Sequence, residues 1–258
     1  MENEKKTTGI VRAIVTLAGV FIVAVAAVVC TLILTKGLVA YKSGQNGGLS
    51  ATGSASIDFE ADLIVWRGTY SAFAQTTSDA YDRLGRDTRK IKDFLEDYGI
   101  DEDDVVFSAI YISKRYTSNY NDDGNYVGDS FSGYELYQTV TVSSSDVDLV
   151  EEVSRDITEL IEDGVEFTSN SPEYYYKDLD SLKLELVEAA TQNAKQRIDL
   201  MAQGSGCRVG RLVSSNLGVF QITAKNSSDD EYSSGGTYNT SSRQKTATIT
   251  VKLNYTVQ

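Results

Sequence analysis

The sequence has 258 residues, 41% of them apolar, and a formal net charge of −13. That content is enough for one domain of ordinary size behind a short N-terminal segment, and it excludes wholesale disorder. The charge is uneven: residues 1–42 sum to +3 and the rest to −16, a balance that repels phosphate backbones and anionic headgroups and so excludes nucleic acid as a partner.

Histidine is absent, which excludes Ser-His-Asp and Cys-His catalysis and HExxH metal sites. The two cysteines, Cys30 and Cys207, fall in different segments, so no intrachain disulfide is expected. Cys207 reads as a small apolar residue with no histidine to activate it.

Ala13 to Leu34 is a run of 22 residues without a charge. As a helix it spans about 33 Å, enough for a hydrocarbon core of about 30 Å. The run exceeds the roughly 7–15 apolar residues of a cleaved signal peptide, so a retained anchor through residues 13–34 is expected, with the lipid bilayer as its partner. Residues 1–12 then form a short cytoplasmic head. Three bases precede the span and two follow it, a small positive-inside bias that sends the C-terminal domain to the extracytoplasmic side of the membrane. Residues 35–49 form a flexible tether, its character set by SGQNGGLS at 43–50.

The domain, residues 50–258, alternates strand and helix patterns. Residues 50–71 alternate as strands, with Asp62 a break between two. Residues 74–98 read as a helix with Ala80, Leu84, Ile91 and Leu95 on one stripe and Gly99 as its stop. Val105–Tyr116 and Tyr134–Val142 read as strands, joined by the polar stretch 117–130 as a long hairpin. Ser145 is expected to cap a second helix with Asp148 as its capping-box partner. Its stripe is Val147, Val150, Val153, Ile157, Leu160 and Ile161, ended by Gly164. Val165–Thr168 is a short strand.

A third helix is expected over Leu179–Gln203 on Leu182, Leu186, Ala190, Ala194, Ile198 and Met201, with Gly204 as its stop. Arg208–Ile222 reads as a strand region, and residues 223–245 as a long mobile loop or a segment ordered only by a partner. Ala247–Val257 closes the domain as a strand with one buried and one wetter face. This order predicts an α+β fold, antiparallel sheets with helices packed on one face.

Candidate chemistry is sparse. Asn119, Asn121, Asp123 and Gly124 echo a calcium loop at alternate positions, but Ser130 stands where its bidentate glutamate belongs, so a hairpin tip is the preferred reading. Asp101–Asp104 reads as a solvated turn and Asp229–Glu231 as a solubilising loop. The sixteen tyrosines, three of them consecutive at Tyr174–Tyr176, point either to subunit contacts or to local packing.

The helix LVEAATQNAKQRIDLMAQGSG, then CRVGRLVSSN, a polar loop and TATITVKLNYTV, entered from NSPEYYYKDLDSLKLELVEAA, resembles the SIMPL-domain family over roughly residues 50–258. The resemblance implies a bacterial, extracytoplasmic envelope protein, here held at the inner membrane by its anchor, with homo-oligomers among the family's members and some members linked to oxidative-stress tolerance. It implies no catalytic residue, no metal ligand and no cofactor, and none is assigned. The expected function is a membrane-anchored structural or assembly protein forming a homo-oligomer, without catalytic activity. An envelope oxidative-stress-protective protein and a carboxylate- or metal-dependent enzyme are the alternatives.

Overall fold

The computed structural model describes residues 24–39, 48–228 and 232–258. The predicted head, residues 1–12, lies outside the described residues, as do residues 13–23 of the predicted anchor, 40–47 of the tether and Asp229–Glu231. Residues 24–39 are helical (α1) and exposed throughout. Among the described residues no helix is long and apolar enough to cross a membrane.

The fold is mixed α+β, with two sheets and, among the described residues, four helices. After α1 come α2 (Thr77–Asp97), α3 (Val147–Asp156) and α4 (Leu179–Ser205). The strands are β1 (Gly48–Glu60), β2 (Leu63–Ala74), β3 (Val105–Phe107), β4 (Tyr111–Tyr120), β5 (Tyr126–Ser144), β6 (Glu166–Ser169), β7 (Glu173–Tyr175), β8 (Val209–Leu217), β9 (Gln221–Ala224), β10 (Thr237–Tyr238) and β11 (Gln244–Val257). One sheet runs β1-β11-β9-β10, with β8 also on β11; the other runs β3-β5-β2-β6, with β4 also on β5 and β7 on β2. The chain divides into two compact units, one of residues up to Thr52 with Ala194–Asn216 and Lys252–Gln258, the other of Gly53–Asn193 and Leu217–Val251.

The larger unit holds the six-stranded sheet. Strand β2 buries Ile64, Trp66, Tyr70, Ala72 and Ala74 on one face, the period of two that a half-covered strand requires. That face carries α2 and α3, which pack on β2 and β5. Helix α2 starts because Thr76 Oγ1 accepts from Asp79 N at 3.1 Å, and it buries the predicted Ala80, Leu84, Ile91 and Leu95. It ends before Gly99, whose φ of +84° is a left-handed stop.

Polar groups taken into this core are partnered. Trp66 Nε1 donates to Ser169 Oγ at 2.9 Å, and Ser169 Oγ donates to Ser154 O at 2.6 Å. The Tyr70 hydroxyl donates to Gln138 Oε1 at 2.6 Å and lies 2.7 Å from Thr88 Oγ1. These bonds offset the cost of burying an indole N–H and a phenol.

Several expectations are corrected. Helix α3 is capped by Asp146, whose carboxylate accepts from Leu149 N at 3.1 Å, and not by Ser145. Asp148 instead reaches Arg243. After Asp156 the chain tightens into a 3-10 turn, Ile157–Ile161, which changes the period from 3.6 to 3 and turns Ile161 out to 54% exposure. In α4 the buried stripe ends on Ala202, four residues after Ile198, while Met201 is exposed. The helix runs through Gly204, and the left-handed residue behind it is Gly206 with φ +69°.

The hairpin expected over 117–130 is present, and only the strand ends differ: β4 and β5 continue through it to a turn at residues 121–125. The 223–245 segment is not simply a loop. It contains the end of β9 and all of β10, which runs parallel to β9 with Thr237 opposite Gln221, the exception to the expected antiparallel pairing. Lys245, at the start of β11, is fully buried, and its ammonium donates to Asn239 O with the Tyr238 ring 5.8 Å away.

In the smaller unit, Arg208 and Gln258 exchange two backbone hydrogen bonds, at 3.1 and 2.9 Å. Arg211 N donates to Thr256 Oγ1 at 2.9 Å, and Arg197 donates to Thr52 O at 2.8 Å. Gly210 fits because a Cβ there would stand 2.3 Å from Thr256 Oγ1.

Candidate functional site

The feature that sets this surface apart is built by β4 and β5. Strand β2 ends at Ala74, opposite Tyr134 of β5. Beyond that point, among the described residues, β4 and β5 pair only with each other, from Tyr116 opposite Phe131 to Tyr120 opposite Tyr126. At the root, Gly133 has φ +153°, and a Cβ there would stand 2.5 Å from Ala74 O. The register shifts at Arg115/Tyr116 and again at Asn119/Tyr120. Such bulges sharpen the local twist, and Arg115 Nε lies 3.0 Å from Glu135 Oε2 beside the first of them.

The tip is closed by its own backbone. Asn121 Oδ1 accepts from Asp123 N at 3.1 Å and from Asn125 N at 2.9 Å, and Gly124 sits at φ +79°. The side chain with which a calcium loop would ligate is therefore spent on the turn. The Asp101 carboxylate is likewise spent, accepting from Asp103 N at 3.0 Å to start the Glu102–Asp104 turn. Among the described residues no group of three or more Asp, Glu, Cys or His is placed to hold a metal.

The ribbon's side chains are large, aromatic and exposed: Tyr116 57%, Tyr120 64%, Tyr126 57%, Val127 61% and Phe131 49%. The rings meet one another edge to face, Tyr116–Phe131 at 5.9 Å, Phe131–Tyr134 at 5.2 Å and Tyr120–Tyr126 at 6.0 Å. A two-stranded ribbon is marginally stable alone in water, and contiguous exposed aromatic surface marks interaction sites.

The consecutive tyrosines take the local-packing alternative. Tyr174 donates to Glu151 Oε1 at 2.8 Å and Tyr175 to Glu173 Oε2 at 3.2 Å, while Tyr176 stacks edge-on to Phe59 with centroids 5.0 Å apart. Burial, reinforced by the Glu151 carboxylate, pushes the Tyr174 phenol up to about 12. Cys30 and Cys207 are both free, and Cys207 Sγ lies 3.2 Å from Ser205 Oγ.

A second cluster forms around Arg243, just before β11. Its Nε lies 2.5 Å from Glu60 Oε1, and its Nη1 lies 2.5 Å from Asp148 Oδ1 and 3.8 Å from Glu151 Oε2. One guanidinium thus ties the end of β1 to the first turns of α3. The hydrogen bond from Arg243 holds the Asp148 carboxyl below the usual carboxylate range, and the Arg67 guanidinium does the same for Glu173. Both folded values are depressed, so the stability they contribute is present above about pH 4, the ordinary unfolded value. It is lost as pH falls through the depressed folded values. Thermal unfolding between pH 6 and pH 2.5 checks this. The melting temperature of the native chain falls on acidification, and Arg243→Met starts lower and falls less steeply. Parallel slopes for the two proteins would rule the cluster out.

Two sheets and, among the described residues, four helices define a mixed α+β module whose distinguishing feature is a surface. Residues 49–257 match the SIMPL family, described as a protein of unknown function (DUF541), and the chain belongs to that family. No curated protein gives a significant match to the chain.

Proposed function

We propose that the protein is a membrane-anchored, extracytoplasmic assembly module that forms a homo-oligomer through the β4–β5 ribbon and catalyses no reaction of its own. The observation that carries this reading is the ribbon, which exposes aromatic side chains and, among the described residues, has no third strand paired with it. Aromatic residues are enriched in interface cores, and a second copy supplies the cover this ribbon lacks. The absence of histidine supports the non-catalytic part, and the charge-free run from Ala13 to Leu34 supports the anchor. The acidic composition of the domain supports association through apolar rather than ionic contacts with lipid or nucleic acid.

Light scattering of the full chain in mild detergent tests the assembly. The expected mass is a defined multiple of one chain plus micelle, and a monodisperse monomer at micromolar concentration would overturn the reading. For the topology, a C-terminal tag should be digested by protease added to intact spheroplasts; protection of the tag would place the domain on the cytoplasmic side.

A further inference from the structure

A groove of about 440 Å³ lies between the C-terminal end of α2 and β3. Its floor is apolar: Leu95 and Ile100 are buried, and Val105 and Phe107 are half-buried beside them. Its rim is acidic, with Asp93 and Glu96 on α2 and Glu102 on the turn leading into β3. Among the described residues none of these three carboxylates has an ion pair within 4 Å. The one cation on the rim, Lys92, lies 5.4 Å from the centroid of the Phe107 ring, a cation–π contact.

Among the described residues strand β3 is the edge of its sheet, paired with β5 alone. Ser108 N donates to Thr139 O of β5 at 2.9 Å. Backbone groups alternate sides along a strand, so Val106 also faces β5, and the N–H and C=O of Phe107 face outward. An open edge strand beside a helix, with a pocket between them, is the arrangement that captures peptides by strand addition. Main-chain bonds supply affinity there, and pockets for alternate side chains supply specificity.

We propose that β3 and this groove bind an extended, basic peptide segment of another protein, which adds as a strand to the six-stranded sheet. Its central groove-facing residue is apolar and fills the space over Leu95, Ile100 and Phe107. Its neighbours two positions to either side are lysine or arginine and meet Asp93, Glu96 and Glu102. The site is separate from the ribbon, and the proposal stands whether or not the ribbon assembles copies.

The probe is a fluorescein-labelled seven-residue peptide with leucine at its centre, lysine two positions to either side and threonine between, titrated against the full chain in detergent. Fluorescence polarisation should rise saturably and weaken with added salt. Replacing the lysines by glutamate should abolish binding. N-methylation of alternate backbone nitrogens leaves the side chains intact and should abolish binding too, and this arm needs no protein variant. Glu96→Lys with Glu102→Lys should weaken binding by about tenfold or more, a loss of about 1.4 kcal/mol, with an unchanged melting curve. No saturable binding up to millimolar peptide, or equal binding of the glutamate or N-methylated probe, would overturn the proposal. A change of particle mass in the charge-reversed variant without any peptide binding would overturn it as well, assigning the groove to a contact between copies.

Discussion

Gly68→Ala, the addition of a single methyl group, is expected to cost about 1–3 kcal/mol of stability. A Cβ at residue 68 would stand 2.2 Å from Phe167 Cζ, 2.7 Å from its Cε1 and 3.0 Å from Trp66 Cη2. The Phe167 ring lies over the glycine between Trp66 and Tyr70, near-parallel to both, with centroids 6.0 and 6.3 Å away. Trp66 and Tyr70 are buried to within 1%, so neither neighbour has free space to move into. The test is a double-mutant cycle in urea. Phe167→Ala alone costs about 3–5 kcal/mol through the cavity it leaves. With Phe167 gone the alanine at 68 meets no ring, so the double variant should be less destabilised than the sum of the singles by about 1–3 kcal/mol. Strict additivity would mean that the ring does not impose glycine at this position.

The combined variant Tyr116→Ser, Tyr120→Ser, Phe131→Ser is expected to disperse the proposed assembly while leaving the fold intact. All three residues lie beyond the end of β2, where β5 has no partner except β4, and none belongs to the buried core. Their loss therefore removes little that holds the monomer together, and its melting temperature should move by only a few degrees. Truncating an aromatic anchor at an interface typically costs about 2 kcal/mol or more. Two such anchors per contact would raise the dissociation constant by hundreds-fold, at about 1.4 kcal/mol per factor of ten. Mass measured across a dilution series checks this. Tyr174→Phe, which loses only the hydrogen bond to Glu151, is the control and should keep the parent mass. A triple variant with the parent mass would show that the copies meet elsewhere.

Where one period governs a whole element, the sequence is a sufficient guide. The α2 stripe of Ala80, Leu84, Ile91 and Leu95 and the alternation of β11 from Ala247 to Leu253 are buried as patterned. The misread elements share a cause, a change of local geometry that the residue types do not encode. Ile161 is as apolar as Ile157, and only the 3-10 turn sends one outward and the other inward. Gly204 and Gly206 are the same residue type two positions apart, and packing along α4 decides which one terminates it.

The hairpin is legible in the sequence, and its polar composition hides only how far the strands run into it. Ser118, Asn119, Asp122, Asp123 and Asn125 are polar, yet Tyr116 and Tyr120 on one side and Tyr126 and Phe131 on the other bracket a turn with Asp-Gly at its centre. That bracketing is a hairpin signal, and the ladder of β4 with β5 follows it to the tip. No periodicity reveals the Arg243 cluster, because Glu60, Asp148 and Arg243 are distant in the chain and only the fold brings them together.

The pairing of β1 with β11 also sets a clock for biogenesis. Ser56 Oγ lies 3.1 Å from Thr248 Oγ1, a contact across 192 positions of the chain. At roughly 5–20 residues per second of synthesis, β1 emerges roughly 10–40 s before the strand it must pair with. Throughout that interval its backbone edge is unpaired, a template for mispairing with a neighbouring nascent chain. The β2–β5 pairing and the helices on it can form in the meantime, whereas the other sheet closes only in the final step. Such long-range closure is intrinsically slow, which makes the waiting first strand the point at which a chaperone would act.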